Sequence, residues 1–276
     1  MKKVVSILLA VLMVTACISA SGCTKKEATD VNQGSAASAT AADSDLAYIQ
    51  QKGTLVVGIT EYEPMNYLDA EGKWTGFDTE FAEAVAAKLG VKAEFIVIDW
   101  DNKIHELNSK SIDCVWNGMT LVDEVKESMN CTNPYVENAQ VVVMKKDKLD
   151  QYKTVEDIKD LKIAVEAGSA GAKAAESAGV SNIVKVAAQS DTLMEVNSGS
   201  ADACIIDITM AGAMTGENTS YASLGYALKL NVEEYGIGFR KGSDVTEKVN
   251  GIMSDLVADG TLTDLAKKYE LTLIVK

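Results

Sequence analysis

Histidine, arginine and proline are nearly missing from this chain of 276 residues, and each shortage excludes something. The single histidine, His105, has no clustered cysteines to work with, so a transition-metal site is not expected. It lies between Ile104 and Leu107 on a short helical pattern and is expected at the surface. Cysteine is equally sparse. Apart from Cys17 and Cys23 near the start, only Cys114, Cys131 and Cys204 remain, an odd set that is no disulfide framework. Their neighbours read as strands, so buried small thiols are the expected role. Beyond the first residues no apolar run is long enough to cross a bilayer, which takes ~20 apolar residues. Basic residues are too few to balance the acids: 26 Lys and Arg against 40 Asp and Glu leave a formal charge of −14. That excess argues against nucleic acid and anionic lipid headgroups as partners of the folded part. It permits a cationic ligand without requiring one, since acidity also serves solubility. No cofactor motif is evident.

What is present begins with a leader. Lys2 and Lys3 precede an apolar run from Val4 to Ala16, and Ile18-Ser19-Ala20-Ser21-Gly22 leads to Cys23. A basic start, a short greasy core and small residues before the exit describe an export signal. A cysteine at its end suggests a lipoprotein, with the thiol acylated. Cys23 is the expected site and Cys17 the alternative; a secreted protein with ordinary signal cysteines is the plainer reading. Residues 1–22 are thus expected to be signal and residues 23–45 a tether, because Thr24 to Asp45 holds Val31 as its only large apolar residue. Such a segment buries too little apolar surface to offset its ordering entropy.

The rest alternates strand and helix patterns. Thr54–Ile59, Ala93–Ile98 and Ile112–Trp116 read as strands, with helices between them at Phe81–Leu89 and Asp101–Ser109. Asp78 is a plausible N-cap of the first helix, and Gly90 its end. The alternation restarts at Gln140–Lys145 and runs through strands at Lys162–Val165, Ile183–Val186 and Ala203–Ile206. Two amphipathic helices, Val245–Asp259 and Leu262–Tyr269, close the chain. Strands alternating with helices call for parallel sheets covered by helices. Ligands of such sheets bind at the carboxyl ends of the strands. The loops to watch are therefore Thr60–Tyr67, Trp116–Thr120, Glu166–Ala170 and Asp207.

Several of these pieces, in order, resemble the polar amino-acid family of periplasmic-type solute-binding proteins. They are Leu55–Gly58, Gly76-Phe77-Asp78, Ile112-Asp113 with Asn117-Gly118-Met119-Thr120, and Asn133-Pro134-Tyr135. In the second half they are Gly168-Ser169, Ala201-Asp202-Ala203 running to Asp207, and Arg240-Lys241-Gly242 with Asp259-Gly260-Thr261-Leu262. The resemblance implies an α/β protein of two Rossmann-like lobes joined by two hinge crossovers, the type II periplasmic binding protein fold. It places lobe 1 at residues 46–142 and 237–276 and lobe 2 at residues 143–236, with crossovers near Val141–Lys145 and Leu230–Gly236. It also implies a monomer that closes on a small ligand and hands it to an ABC importer permease.

The same resemblance assigns candidate ligand contacts. Tyr62 and Trp100 are aromatic walls, or else ordinary core. Asn117, Gly118, Met119 and Thr120 meet the α-amino and α-carboxylate groups, and Ser169 belongs to the matching loop of the second lobe. Asp207 is the carboxylate for an α-ammonium, or an N-cap of the segment from Ile208. Glu166 and Glu61 are further acidic candidates, Glu61 being equally readable as a solvated surface acid. One departure matters. The family usually carries an arginine five residues after the threonine to clamp the α-carboxylate, and here Val125 stands in that place, with Lys126 next to it. Acid and aromatic groups without a guanidinium favour a ligand bearing an amine, with a cationic amino acid expected. The alternatives are a polyamine or quaternary amine, a dehydratase of small cyclic acids on the same scaffold, and a sensor that reports without transport.

Overall fold

The computed structural model describes residues 44–275. The leader, Cys17, Cys23 and nearly all of the tether lie outside them. In chain order the elements are α1 (Asp45–Lys52), β1 (Thr54–Ile59), β2 (Tyr67–Leu68), β3 (Trp74–Thr75), α2 (Phe77–Leu89), β4 (Lys92–Val97), α3 (Lys103–Asn108) and β5 (Cys114–Val115). Then come α4 (Asp123–Ser128), β6 (Asn130–Cys131), β7 (Val136–Asn138), β8 (Gln140–Lys145), β9 (Lys162–Glu166), α5 (Ala170–Ser177), β10 (Asn182–Val186) and α6 (Gln189–Ser198). The last are β11 (Ala203–Asp207), α7 (Ile208–Thr215), β12 (Leu224–Lys229), β13 (Glu233–Tyr235), β14 (Gly238–Phe239), α8 (Val245–Ala258) and α9 (Thr261–Lys268).

Two five-stranded sheets organise these elements, in the orders β4-β1-β5-β14-β6 and β10-β9-β11-β8-β12. In each sheet the strand second from one edge is flanked by parallel neighbours: β1 by β4 and β5, and β9 by β10 and β11. The remaining pairings are antiparallel, because β14 and β8 enter their sheets from the crossings between lobes. Those crossings are β7 and β13, paired with Val136 opposite Tyr235 and Asn138 opposite Glu233. The first lies just upstream of the expected Val141–Lys145, whose residues form the continuous strand β8. The two sheets and their two-stranded connection constitute the type II periplasmic binding protein fold.

Local chemistry explains the element that positions most of the site. Helix α2 follows Gly76, whose φ of 118° is closed to ordinary side chains; a Cβ there would stand 2.3 Å from the Met65 carbonyl oxygen. Phe77, Phe81, Ala82, Val85, Ala86 and Leu89 form its buried face, and Gly90 ends it in the left-handed region. Phe81 meets Trp116 edge-on at 4.8 Å between ring centroids and Tyr135 at 5.7 Å. This aromatic cluster lies under the loop after β5. Asp78 does not cap the helix. Gly76 holds the N-cap position, and the fully buried Asp78 carboxylate accepts from the Gly118 N–H at 2.6 Å and the Tyr135 hydroxyl at 2.9 Å. A cap must sit outside the first turn, and Asp78 lies inside it.

The opening helix α1 has no counterpart among the sequence expectations. Ser44 caps it by accepting from the Ala47 N–H, and its Asp45 receives the Arg240 guanidinium Nε at 2.9 Å. His105 is exposed as expected, and Cys114, Cys131 and Cys204 are free thiols on strands. Among the described residues no helix is long and apolar enough to cross a membrane, and no cluster of metal-ligating side chains is found.

Candidate functional site

A cleft between the lobes collects side chains from the carboxyl ends of strands in both sheets. Its walls include Tyr62, Trp100, Asn117, Gly118, Met119, Thr120, Glu166, Ser169 and Asp207. Nine of the ten ligand-contact candidates therefore share one space. Glu61 does not: it is exposed, while Thr60 and Tyr62 on either side are buried. In an extended segment adjacent side chains face opposite ways, so burying Tyr62 turns Glu61 to solvent.

The first lobe supplies the floor. Gly118 has φ of 56°, and a Cβ on it would stand 2.7 Å from the Tyr62 ring, so that ring lies directly against its backbone. Asn117 Nδ2 donates to the Thr60 hydroxyl at 2.7 Å. The Tyr62 hydroxyl is shared with Thr209 and Tyr235, each at 2.5 Å. Thr209 belongs to α7 of the second lobe and Tyr235 to the crossing strand β13. Tyr62 is thus packed in the core and also lines the cleft. Trp100 is buried, with the Lys103 Nζ 4.9 Å from its ring centroid.

The second lobe supplies the acids. Asp207 ends β11 and is buried among amides. It accepts from Asn138, from Gln140 Nε2 at 2.8 Å and from Gln189 Nε2 at 2.6 Å, while its own N–H donates to Gln189 Oε1 at 2.9 Å. Its side chain makes no capping bond to α7. Glu233 on β13 draws on the same donors, accepting from Gln140 Nε2 at 2.6 Å, Asn138 Nδ2 at 2.8 Å and the Thr120 hydroxyl at 2.8 Å. Burial, and then the charge of Glu233, raises the Asp207 carboxyl to about 7. Glu166 ends β9, and its Oε1 is buried without a hydrogen-bond partner. Burial, and then the Asp207 charge, raises it to about 8. Both carboxyls are thus held closer to their neutral form than an exposed acid, because a charge away from water is costly.

Lys103, Lys173 and Gln189, outside the sequence expectations, also line the cleft. So does Val125, at the place of the family's arginine, whereas its neighbour Lys126 is exposed and lies away from the cleft. Lys103 had a legible signal: it lies three residues after Trp100, hence on the same side of a helical turn. Gln189, Gln140 and Asn138 had none, since amides at an element's edge carry no pattern. Several contacts bridge the lobes. Lys173 of α5 pairs with Glu124 of α4, Lys103 Nζ donates to the Gly168 carbonyl at 2.9 Å, and a Cβ on Gly168 would stand 2.8 Å from the Asp101 Cα. The walls stand close together and leave room for only a few water-sized bodies.

The fold recurs in known proteins. Residues 55–272 match the family of bacterial extracellular solute-binding proteins, family 3. The L-cystine-binding protein TcyJ of Escherichia coli (strain K12) is 30% identical over 225 residues, covering 80% of this chain and 84% of that protein. Among solved structures, an ancestral arginine-binding protein bound to arginine is 36% identical with a TM-score of 0.73, covering 79% of this chain and 98% of its own. The ancestral amino acid-binding protein AncCDT-1, described as a precursor of cyclohexadienyl dehydratase, is 33% identical with a TM-score of 0.75, covering 82% and 99%. With its two sheets, crossing strands and shared cleft, the chain belongs to the bacterial extracellular solute-binding proteins of family 3.

Proposed function

We propose that this protein is an extracytoplasmic receptor, anchored by a lipid on Cys23, that captures an amino acid and delivers it to an ABC importer permease as a monomer. A cationic side chain is favoured. The observation that carries this reading is the pair of buried acids, Asp207 and Glu166, at the strand ends of one lobe opposite the Tyr62 and Trp100 rings of the other. An α-ammonium gives Asp207 the partner that its amide neighbours only approximate. A second positive group gives the open Glu166 oxygen its partner, with the rings adding cation–π attraction. Each charge-assisted bond of this kind contributes ~1.5–3 kcal/mol. The binding proteins for cystine and arginine among the relatives support an amino acid with two amine-bearing or cationic ends. They also favour a receptor over a dehydratase, since the neighbour linked to that enzyme is itself named a binding protein.

A thermal-shift panel tests this reading with arginine, lysine, histidine, cystine, glutamate, aspartate, polyamines and quaternary amines. A binder at 100 times its Kd adds about 2.7 kcal/mol of stability, a readable rise in Tm. Arginine, lysine or cystine is expected to give the largest shift. A largest shift from glutamate or aspartate refutes the cationic preference, and no shift with any compound refutes the receptor.

A further inference from the structure

The position where the family's arginine is expected holds Val125, which lines the cleft but offers no donor. The chain's one arginine, Arg240, is elsewhere, committed to Asp45, Asp113 and the carbonyls of Leu107 and Ile112. Two cations line the cleft, Lys103 and Lys173. Lys173 is paired with Glu124, and its side chain is 40% exposed. Lys103 differs on both counts. It is 7% exposed, and its Nζ donates to two neutral carbonyls, Trp100 at 3.1 Å and Gly168 at 2.9 Å. Among the described residues no carboxylate comes within the 4.0 Å of an ion pair. An ammonium carries three donors, so one remains after these two bonds. Burial lowers its pKa, and the charges of Glu166, Glu124 and Asp101 oppose that shift.

Its location narrows the choice of anion. Gly168 immediately precedes Ser169, the N-cap of α5, whose hydroxyl accepts from the Ala172 N–H at 3.1 Å. Ala170 opens the helix and lines the cleft beside Lys103. The first N–H groups of a helix have no partner within it, and they favour a carboxylate. The same cleft holds Glu166 and Asp207, which repel any ligand that is only negative. A zwitterion satisfies both conditions, with its ammonium toward Asp207 and its carboxylate toward the lysine.

We propose that Lys103 is the specificity-determining cation of this receptor and takes the ligand's α-carboxylate in place of the guanidinium missing at position 125. The proposal deepens the amino-acid reading above and rests on it. It sets the ligand class as α-amino acids, apart from polyamines and quaternary amines. The competing role is a bolt between the lobes, since Trp100 and Gly168 stand on opposite sides of the cleft. A bolt aids every ligand equally, whereas a carboxylate receptor aids only ligands that carry one.

The test compares L-arginine with L-argininamide, and L-cystine with cystamine, by isothermal titration calorimetry on the wild-type protein and on Lys103→Met. The wild type is expected to favour the acid over its carboxylate-free counterpart by about tenfold or more. Lys103→Met is expected to lose that preference: arginine and cystine weaken by about tenfold more than argininamide and cystamine, which lose only the shared contact between the lobes. An equal loss for both members of a pair, or an unchanged preference, overturns the proposal. If Lys103→Met does not fold, the wild-type comparison decides alone: argininamide binding as tightly as arginine overturns it. A wild type that binds the carboxylate-free compounds and the acids alike leaves the amine receptor standing and removes the lysine's role; one that binds neither removes both.

Discussion

Replacing Glu166 with glutamine tests the buried acid most directly. The folded protein holds this carboxyl at about 8, against an ordinary value of 4.5, because burial and then the neighbouring Asp207 charge disfavour ionisation. The folded state therefore keeps a proton that the unfolded chain releases above pH 4.5. Stability from this group is fully present below pH 4.5 and falls as pH rises toward 8, by about 1.4 kcal/mol per unit. Between pH 5 and pH 7.5 the wild type loses up to about 3 kcal/mol through Glu166, and the Glu166→Gln protein loses none by this route. Asp78 and Asp207, each raised from 3.8 to about 7, give both proteins a further decline, so the difference between the two is the informative quantity. Urea unfolding followed by tryptophan fluorescence at both pH values measures it. The ligand-free variant is expected to gain on the wild type by about 2–3 kcal/mol from pH 5 to pH 7.5. With saturating arginine the comparison reverses at pH 7.5, because the wild-type carboxylate then has a cation beside it. Parallel profiles for the two ligand-free proteins refute the account of Glu166 as a carboxyl that burial keeps protonated.

Further outcomes follow from other contacts. Asp207→Ala is expected to weaken an ammonium ligand by more than about tenfold in calorimetry; unchanged affinity removes Asp207 from the site. Gly168→Ala puts a Cβ 2.8 Å from the Asp101 Cα at a φ of 67°, a contact made only with the lobes together. Affinity is expected to fall by about tenfold or more, with about 1 kcal/mol lost in stability, and small-angle scattering with ligand should show less compaction than wild type. Val125→Arg added to Lys103→Met is expected to restore the preference for arginine over argininamide, at an overpacking cost of about 1–3 kcal/mol. Continued indifference to the carboxylate would count against the alignment of position 125 with the family's clamp.

The sequence by itself determined the fold class and most of the cleft. Strand and helix periods are local properties, so Thr54–Ile59, Phe81–Leu89 and Val245–Asp259 were legible from spacing alone, and loops at strand ends followed from topology. Tyr62, Trp100 and the Asn117–Thr120 segment were readable because a short ordered motif brings its neighbours with it. The tertiary structure alone decided who meets whom. Whether Glu61 or Tyr62 faces inward depends on a single alternation that composition does not encode. That Asp78 holds Gly118 rather than capping its own helix depends on an approach between segments 40 residues apart. The role of Lys103 depends on Gly168, 65 residues away across the cleft. Charges and amides exert their effect through space and through burial, and both are properties of the assembled molecule rather than of any stretch of chain.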